Sequence, residues 1–175
     1  MIDDARRFHG VYRPVGILPP VQYLSVVLQA TEGCHYNRCT FCTFYRDVPF
    51  HVKDEAAFRR HVAAVRGFLG ASLPLRRSLF LADANALVVS QRRLVPLFRV
   101  LHDAFSIAPP DESDAERAAW MATHPEGVDG VYAFLDAFTG VRKTADEFAE
   151  LAALGLRRVY VGMESGHVPL LDFMA

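Results

Sequence analysis

A chain of 175 residues, 51% of them hydrophobic, has the material for one domain with a sizeable core. Its formal net charge of −1 gives no case for a nucleic-acid-binding surface, and the Arg-Arg pairs at 6–7, 59–60, 76–77, 92–93 and 157–158 are interspersed with acids and read as solvated helix faces and strand entrances. No apolar stretch approaches the roughly 20 residues that span a bilayer, and Met1–Arg7 carries no hydrophobic leader, so the chain is expected in the reducing cytoplasm.

Residues 1–20 read as an N-terminal extension, and the apolar run from Val21 to Ala30 predicts the first strand. All three cysteines of the chain follow at once, as Cys34-x4-Cys39-x2-Cys42. Three thiolates on one loop form a ligand set that lacks a fourth member. Soft thiolates select iron–sulfur clusters, zinc or copper(I), and structural zinc sites close with four protein ligands. A [4Fe–4S] cluster held by three cysteines leaves one iron open to a group that is not protein. A zinc site completed by His35 or His51 is a second reading. A plant-type [2Fe–2S] site also begins with this spacing but needs a fourth cysteine, which the chain lacks. Disulfides do not suit an odd number of closely spaced cysteines in a chain without a leader, and three unrelated core cysteines give no reason for clustering on a polar loop. His35 reads as a solvated loop residue, and Tyr36 and Phe44 as loop packing.

Beyond the loop, Phe58, Val62, Val65 and Leu69 recur at helical spacing within 53–69, with Asp54 and Glu55 in the first turn where the helix dipole favours anions. Ser78–Ala82 predicts a buried strand. Ser90 then reads as the N-cap of a helix with Leu94, Leu97, Phe98, Leu101 and Phe105 on one stripe. Residues 106–130, with Pro109-Pro110 and Asp111, Glu112, Asp114 and Glu116, form a long excursion with a short helix near 115–121 and Trp120 as its anchor. Val131–Leu135 is the third strand. Thr144 and Glu147 spell a capping box for the next helix, Gly155 its stop, Arg158–Gly162 the fourth strand, and His167–Met174 a last helix. Alternation of buried strands with helices argues for a parallel sheet wrapped by helices, an α/β fold in which chemistry collects at the carboxyl ends of the strands. That rim would gather Cys34, Cys39 and Cys42, Asp83 and Asn85, Asp136, and Glu164 and Ser165. Bland roles also suit the polar ones: Asp83, Asn85 and Asp136 as turn or cap residues, Ser165 as an N-cap with Glu164 complementing the dipole.

The segment Thr31-Glu-Gly-Cys34-His-Tyr-Asn-Arg-Cys39-Thr-Phe-Cys42-Thr-Phe-Tyr45 resembles the cluster loop of the radical S-adenosylmethionine (radical SAM) superfamily, including an aromatic residue between the second and third cysteines. Its first gap has four residues where three is commonest, a longer gap that some branches share. Leu79–Leu87 looks like that superfamily's second-strand motif, with Ala82, Asp83 and Asn85 in place of its glycines and glutamate. Gly155–Gly166, ending Gly-Met-Glu-Ser-Gly, resembles the fourth-strand segment of the tRNA methylthiotransferase and elongator-type groups.

The resemblance implies a partial TIM-like barrel of parallel (βα)n units over residues 21–175, about four of the six that such cores hold. Cys34, Cys39 and Cys42 would ligate a [4Fe–4S] cluster, with the amino and carboxylate groups of S-adenosylmethionine on the open iron. Asp83 and Asn85 would approach the methionine amino group, Glu164 and Ser165 the ribose or methionine part, and Phe41 and Tyr45 would line an adenine pocket. Reductive cleavage of the cofactor to a 5′-deoxyadenosyl radical would follow, with reduced flavodoxin or ferredoxin as electron donor. Neither a substrate nor a catalytic side chain is implied. Four units leave a parallel sheet with an open edge, which suggests a truncated chain, a partner polypeptide, or a dimer that covers the edge. The rival class is a non-enzymatic iron–sulfur or zinc carrier, indifferent to S-adenosylmethionine.

Overall fold

Short runs of β-branched and aromatic residues form one parallel sheet in the computed structural model, which describes residues 2–13, 16–136 and 142–174. Its strands are β1 (Val26–Gln29), β4 (Leu79–Ala82), β5 (Val131–Asp136) and β6 (Leu156–Gly162), in the spatial order β1-β4-β5-β6. A separate antiparallel pair, β2 (Thr31–Glu32) and β3 (His51–Val52), brackets the cysteine loop. The helices are α1 (Ile2–Val11), α2 (Glu55–Leu69), α3 (Gln91–Ala104), α4 (Asp114–Thr123), α5 (Ala145–Ala153) and α6 (Val168–Met174). The α/β class with a parallel sheet, read from the alternation, is the architecture found.

Side chains alternate across each strand, so the sheet has two unlike faces. Val26, Leu28, Leu79, Leu81, Val131, Ala133 and Leu135 face the helices and share one core with Phe58, Val62 and Val65 of α2, Leu94, Leu97, Phe98 and Leu101 of α3, and Leu151 of α5. The opposite face carries Phe80, Ala82 and Tyr132, with Val27, Phe134, Tyr160 and Leu18 packed beside them. No helix contributes to that second cluster among the described residues. Strand order follows chain order, so every crossover steps the same way; crossovers of one hand then place their helices on one side of the sheet.

The helix ends are set by local chemistry. Asp54 caps α2 by accepting from the Ala57 N–H at 2.7 Å, and Thr144 and Glu147 form the expected capping box on α5. Gly155, at φ +92°, follows α5 where a side chain would be strained. Ser90 stands at the N-cap of α3 but makes no side-chain capping bond. The first strand is shorter than the apolar run suggests, because Pro20–Gln22 turns as a 3₁₀ helix instead. Proline at its first position has no N–H to donate to a sheet, and the Gln22 N–H closes the turn on the Pro19 carbonyl at 2.8 Å.

Two elements carry more order than the pattern suggests. Within residues 1–20, α1 packs through Phe8 and Tyr12 against Phe68 of α2, with ring centroids 6.0 and 6.4 Å apart. The 106–130 excursion folds back on itself: the Ala108 N–H donates to Val128 O and the Val128 N–H to Ser106 O, both at 2.9 Å. Trp120 stacks on His124 at 4.0 Å, but the buried anchor is Arg117, whose guanidinium bonds the carbonyls of Asp129, Pro110 and Glu112 at 2.9, 3.3 and 3.2 Å. A Ser113–Glu116 capping box starts α4 immediately before it.

Candidate metal and cofactor site

In a parallel sheet all carboxyl ends lie on one rim, and the register places Gln29 beside Ala82, Leu81 beside Ala133, and Asp136 beside Gly162. The loops that leave this rim carry every residue singled out in the sequence. The cysteine loop leaves β1 through β2 and returns through β3, Asp83 and Asn85 follow β4, Asp136 ends β5, and Glu164 and Ser165 follow β6.

Cys34, Cys39 and Cys42 are unbridged thiols, each partly exposed. Burial pushes the Cys39 thiol above its ordinary value, and its neighbours Cys34 and Cys42 push it further. A cation among the three would reverse that cost by favouring thiolates. Within the loop, Arg46 donates from Nε to Cys42 O at 3.0 Å, from Nη1 to Asn37 O at 3.3 Å, and from Nη2 to Cys39 O. Asn37, at φ +49°, is a residue type that tolerates the left-handed region; its N–H donates to Cys34 Sγ at 3.4 Å and its side-chain amide to Tyr45 O at 2.8 Å.

The aromatic residues separate by burial. Phe41 is 52% exposed, and Tyr36 and Phe44 are exposed as well rather than packed into the loop. Tyr45 is only 4% exposed, and its hydroxyl donates to Asp83 Oδ1 at 3.0 Å. Asp83, 3% exposed, also accepts from Gln29 Nε2 at 3.5 Å, while its own N–H donates to Thr31 Oγ1 at 2.9 Å. Burial lifts the Asp83 carboxyl to about 6 against the pull of those donors, and burial next to that carboxylate drives the Tyr45 phenol upward.

A second polar group spans the rim from β4 to β5. Asn85 Nδ2 donates to Asp136 Oδ2, and His35 Nε2 lies 3.7 Å from the same oxygen. His35 is therefore half-buried against β5, not a freely solvated loop residue; burial lowers its pKa although Asp136 pulls the other way. Glu164 is exposed and sits at φ +58°, an uncommon region for a side chain of this kind, and it lies near enough to Cys39 to add to that thiol's upward shift. The Ser165 hydroxyl accepts from the His167 N–H at 3.0 Å, a turn two residues ahead of the helix cap; His167, whose carbonyl accepts from the Leu170 and Leu171 N–H groups, occupies the N-cap position expected of Ser165. The last carbonyls of α6 close the circuit: Met174 O accepts from the Thr40 N–H at 3.0 Å and Phe173 O from Thr40 Oγ1 at 3.3 Å.

The rim thus joins four loops around three thiols. Sequence reasoning missed Gln29, Thr31, Asn37 and Arg46, because a strand glutamine or a loop arginine carries no signature until the partner carbonyls are known. Among the described residues, no three Cys, His, Asp or Glu side chains gather as a preformed ion site. A single zinc ion needs its donors within about 2.3 Å of one centre, whereas a cluster takes each cysteine on a different iron. Three free soft donors with no fourth cysteine in the chain are of the type that takes either an iron–sulfur cluster or zinc. Compared with known proteins, the chain matches no family model, no curated protein and no solved structure.

Proposed function

We propose that this chain is a radical SAM core: an arc of a (βα)n barrel whose carboxyl rim holds a [4Fe–4S] cluster through Cys34, Cys39 and Cys42 and S-adenosylmethionine beside it. The observation that carries the reading is the isolation of three unbridged thiols, with no fourth, on the carboxyl rim of a parallel sheet. The barrel arc is supported by a sheet whose strands follow chain order and whose core-forming helices lie on one face, since a doubly wound sheet would carry helices on both. When bound, cluster and cofactor supply one-electron reductive cleavage of a sulfonium and hydrogen-atom abstraction from a substrate, fed by reduced flavodoxin or ferredoxin.

The chain's own residues would bind, orient and exclude water. The three thiols would be held as thiolates, with the Arg46 guanidinium keeping the loop carbonyls turned toward itself. Phe41, exposed on the loop, offers a face for a nucleobase, and the buried Tyr45 would line the same adenine pocket. By the resemblance, Asp83 and Asn85 would approach the methionine amino group, and Glu164 and Ser165 the ribose hydroxyls or the methionine moiety.

β6 is the strand whose outer edge would meet a partner or a second copy; Val161 upon it, Met163 just beyond, and Val168 and Phe173 of α6 are exposed apolar groups. Among the described residues no helix is long and apolar enough to cross a membrane.

The test is anaerobic reconstitution with ferrous iron and sulfide, followed by iron and sulfide counting on the wild type and on Cys34→Ala, Cys39→Ala and Cys42→Ala. The proposal expects about four irons in the wild type and loss of most of them in each variant. One tightly bound zinc and no cluster would refute it in favour of a carrier.

A further inference from the structure

We infer that Tyr45 and Asp83 are positioning residues: together they staple both feet of the cysteine loop to the sheet rim and so set Cys34 before any ligand arrives. The inference rests on the reading of that loop as the ligand loop, but its geometry is independent of what the loop binds.

Asp83 sits at the carboxyl end of β4, buried, and holds both ends of one segment. Its own N–H donates at 2.9 Å to Thr31 Oγ1, three residues before Cys34, and its carboxylate accepts the Tyr45 hydroxyl at 3.0 Å from beyond Cys42. One residue thereby closes residues 31–45 into a ring. Gly33 is at φ +73°, and a Cβ there would come 2.6 Å from Val48 O, so this foot has no room for another residue. Gly16 lies against the Tyr45 ring, where a Cβ would come 2.8 Å from the phenol carbon and oxygen. The segment before β1 therefore backs the other foot.

From Tyr45 the restraint runs on to sulfur. The Tyr45 carbonyl accepts from the Asn37 side-chain amide at 2.8 Å, and the Asn37 N–H donates to Cys34 Sγ at 3.4 Å. Cys39 and Cys42 lie instead where Arg46 gathers the loop carbonyls. Loosening the staple should therefore free Cys34 far more than the other two, whereas general destabilisation would free all three alike.

The experiment uses the reduced, metal-free full chain. Each thiol's alkylation rate by iodoacetamide is followed by peptide mass spectrometry in the wild type, Tyr45→Phe, Asp83→Ala and the double variant. Tyr45→Phe keeps the ring and removes only the hydroxyl. The expected result is alkylation of Cys34 about five- to tenfold faster in each single variant, the factor that loss of one hydrogen bond corresponds to, with Cys39 and Cys42 changed less than twofold. The double variant should be no faster than the singles, because both remove the same link. Equal acceleration of all three thiols, no acceleration, or additive effects would overturn the inference. Because the readout needs no cluster, iron binding by a wild type whose Cys34 rate is untouched by Tyr45→Phe would sink the staple and leave the proposed function standing.

Discussion

Replacing His61 should change how stability depends on pH, in a window fixed by its surroundings. His61 lies on α2 with its side chain buried against β1; Nε2 accepts from the Gln29 N–H at 3.0 Å, which puts the ring proton on Nδ1. Burial first, and then nearby Lys53, lowers its pKa to about 4 from the ordinary 6.5, with Glu32 pulling weakly the other way. Protonation must break the Gln29 bond, because a doubly protonated ring has no acceptor. The folded value lies below the unfolded one, so the unfolded chain binds more protons between them. The contribution is complete above the unfolded value and is lost as pH falls toward the folded one. The shift corresponds to about 3 kcal/mol in full, and to about 2 kcal/mol lost on going from pH 8 to pH 5. Asp83 works in the opposite sense, since its folded value of about 6 lies above 3.8 and its contribution grows as pH falls through the same window. A comparison of variants removes that overlap. Urea unfolding of the wild type and His61→Gln at pH 8 and pH 5 should give a stability difference that shrinks by about 2 kcal/mol at the lower pH. A difference independent of pH would refute the assignment of a neutral buried imidazole.

Thr144→Ala removes the acceptor for the Glu147 N–H at 3.2 Å and should cost about 1 kcal/mol, read as a fall of about 2–4 °C in the thermal midpoint; no fall would show that α5 is held by packing alone. Arg117→Met leaves the carbonyls of Pro110, Glu112 and Asp129 without their donor, and should cost about 2–4 kcal/mol while opening residues 106–130 to limited proteolysis. Unchanged protease resistance there would place the anchor elsewhere, in the Trp120–His124 stack.

The fold was legible where physics is local. Leu94, Leu97, Phe98 and Leu101 announce α3 by spacing, and Thr144 with Glu147 announces the start of α5. The run before Gln29 misled because Val21, Tyr23 and Leu24 are as apolar as strand residues yet are exposed; the turn at Pro20–Gln22 closes locally on the Pro19 carbonyl and is tied to β6 by the long-range Gln22–Tyr160 bond at 2.9 Å. α1 escaped notice because Phe8 and Tyr12 gain meaning only against Phe68, far away in sequence. The site divides the same way. Cys34, Cys39 and Cys42 stand out by residue type and proximity alone. The link from Asp83 through Tyr45 and Asn37 to Cys34 joins β4 to a loop some forty residues earlier, and no local pattern encodes such a chain of bonds.

The central claim is an open iron on a three-cysteine cluster. The protein, reconstituted anaerobically with iron and sulfide and then reduced, should give the electron paramagnetic resonance signal of a [4Fe–4S]+ cluster, and that signal should shift when S-adenosylmethionine is added. A cluster signal indifferent to the cofactor, or a chain that forms no cluster and binds zinc stoichiometrically, would contradict the account.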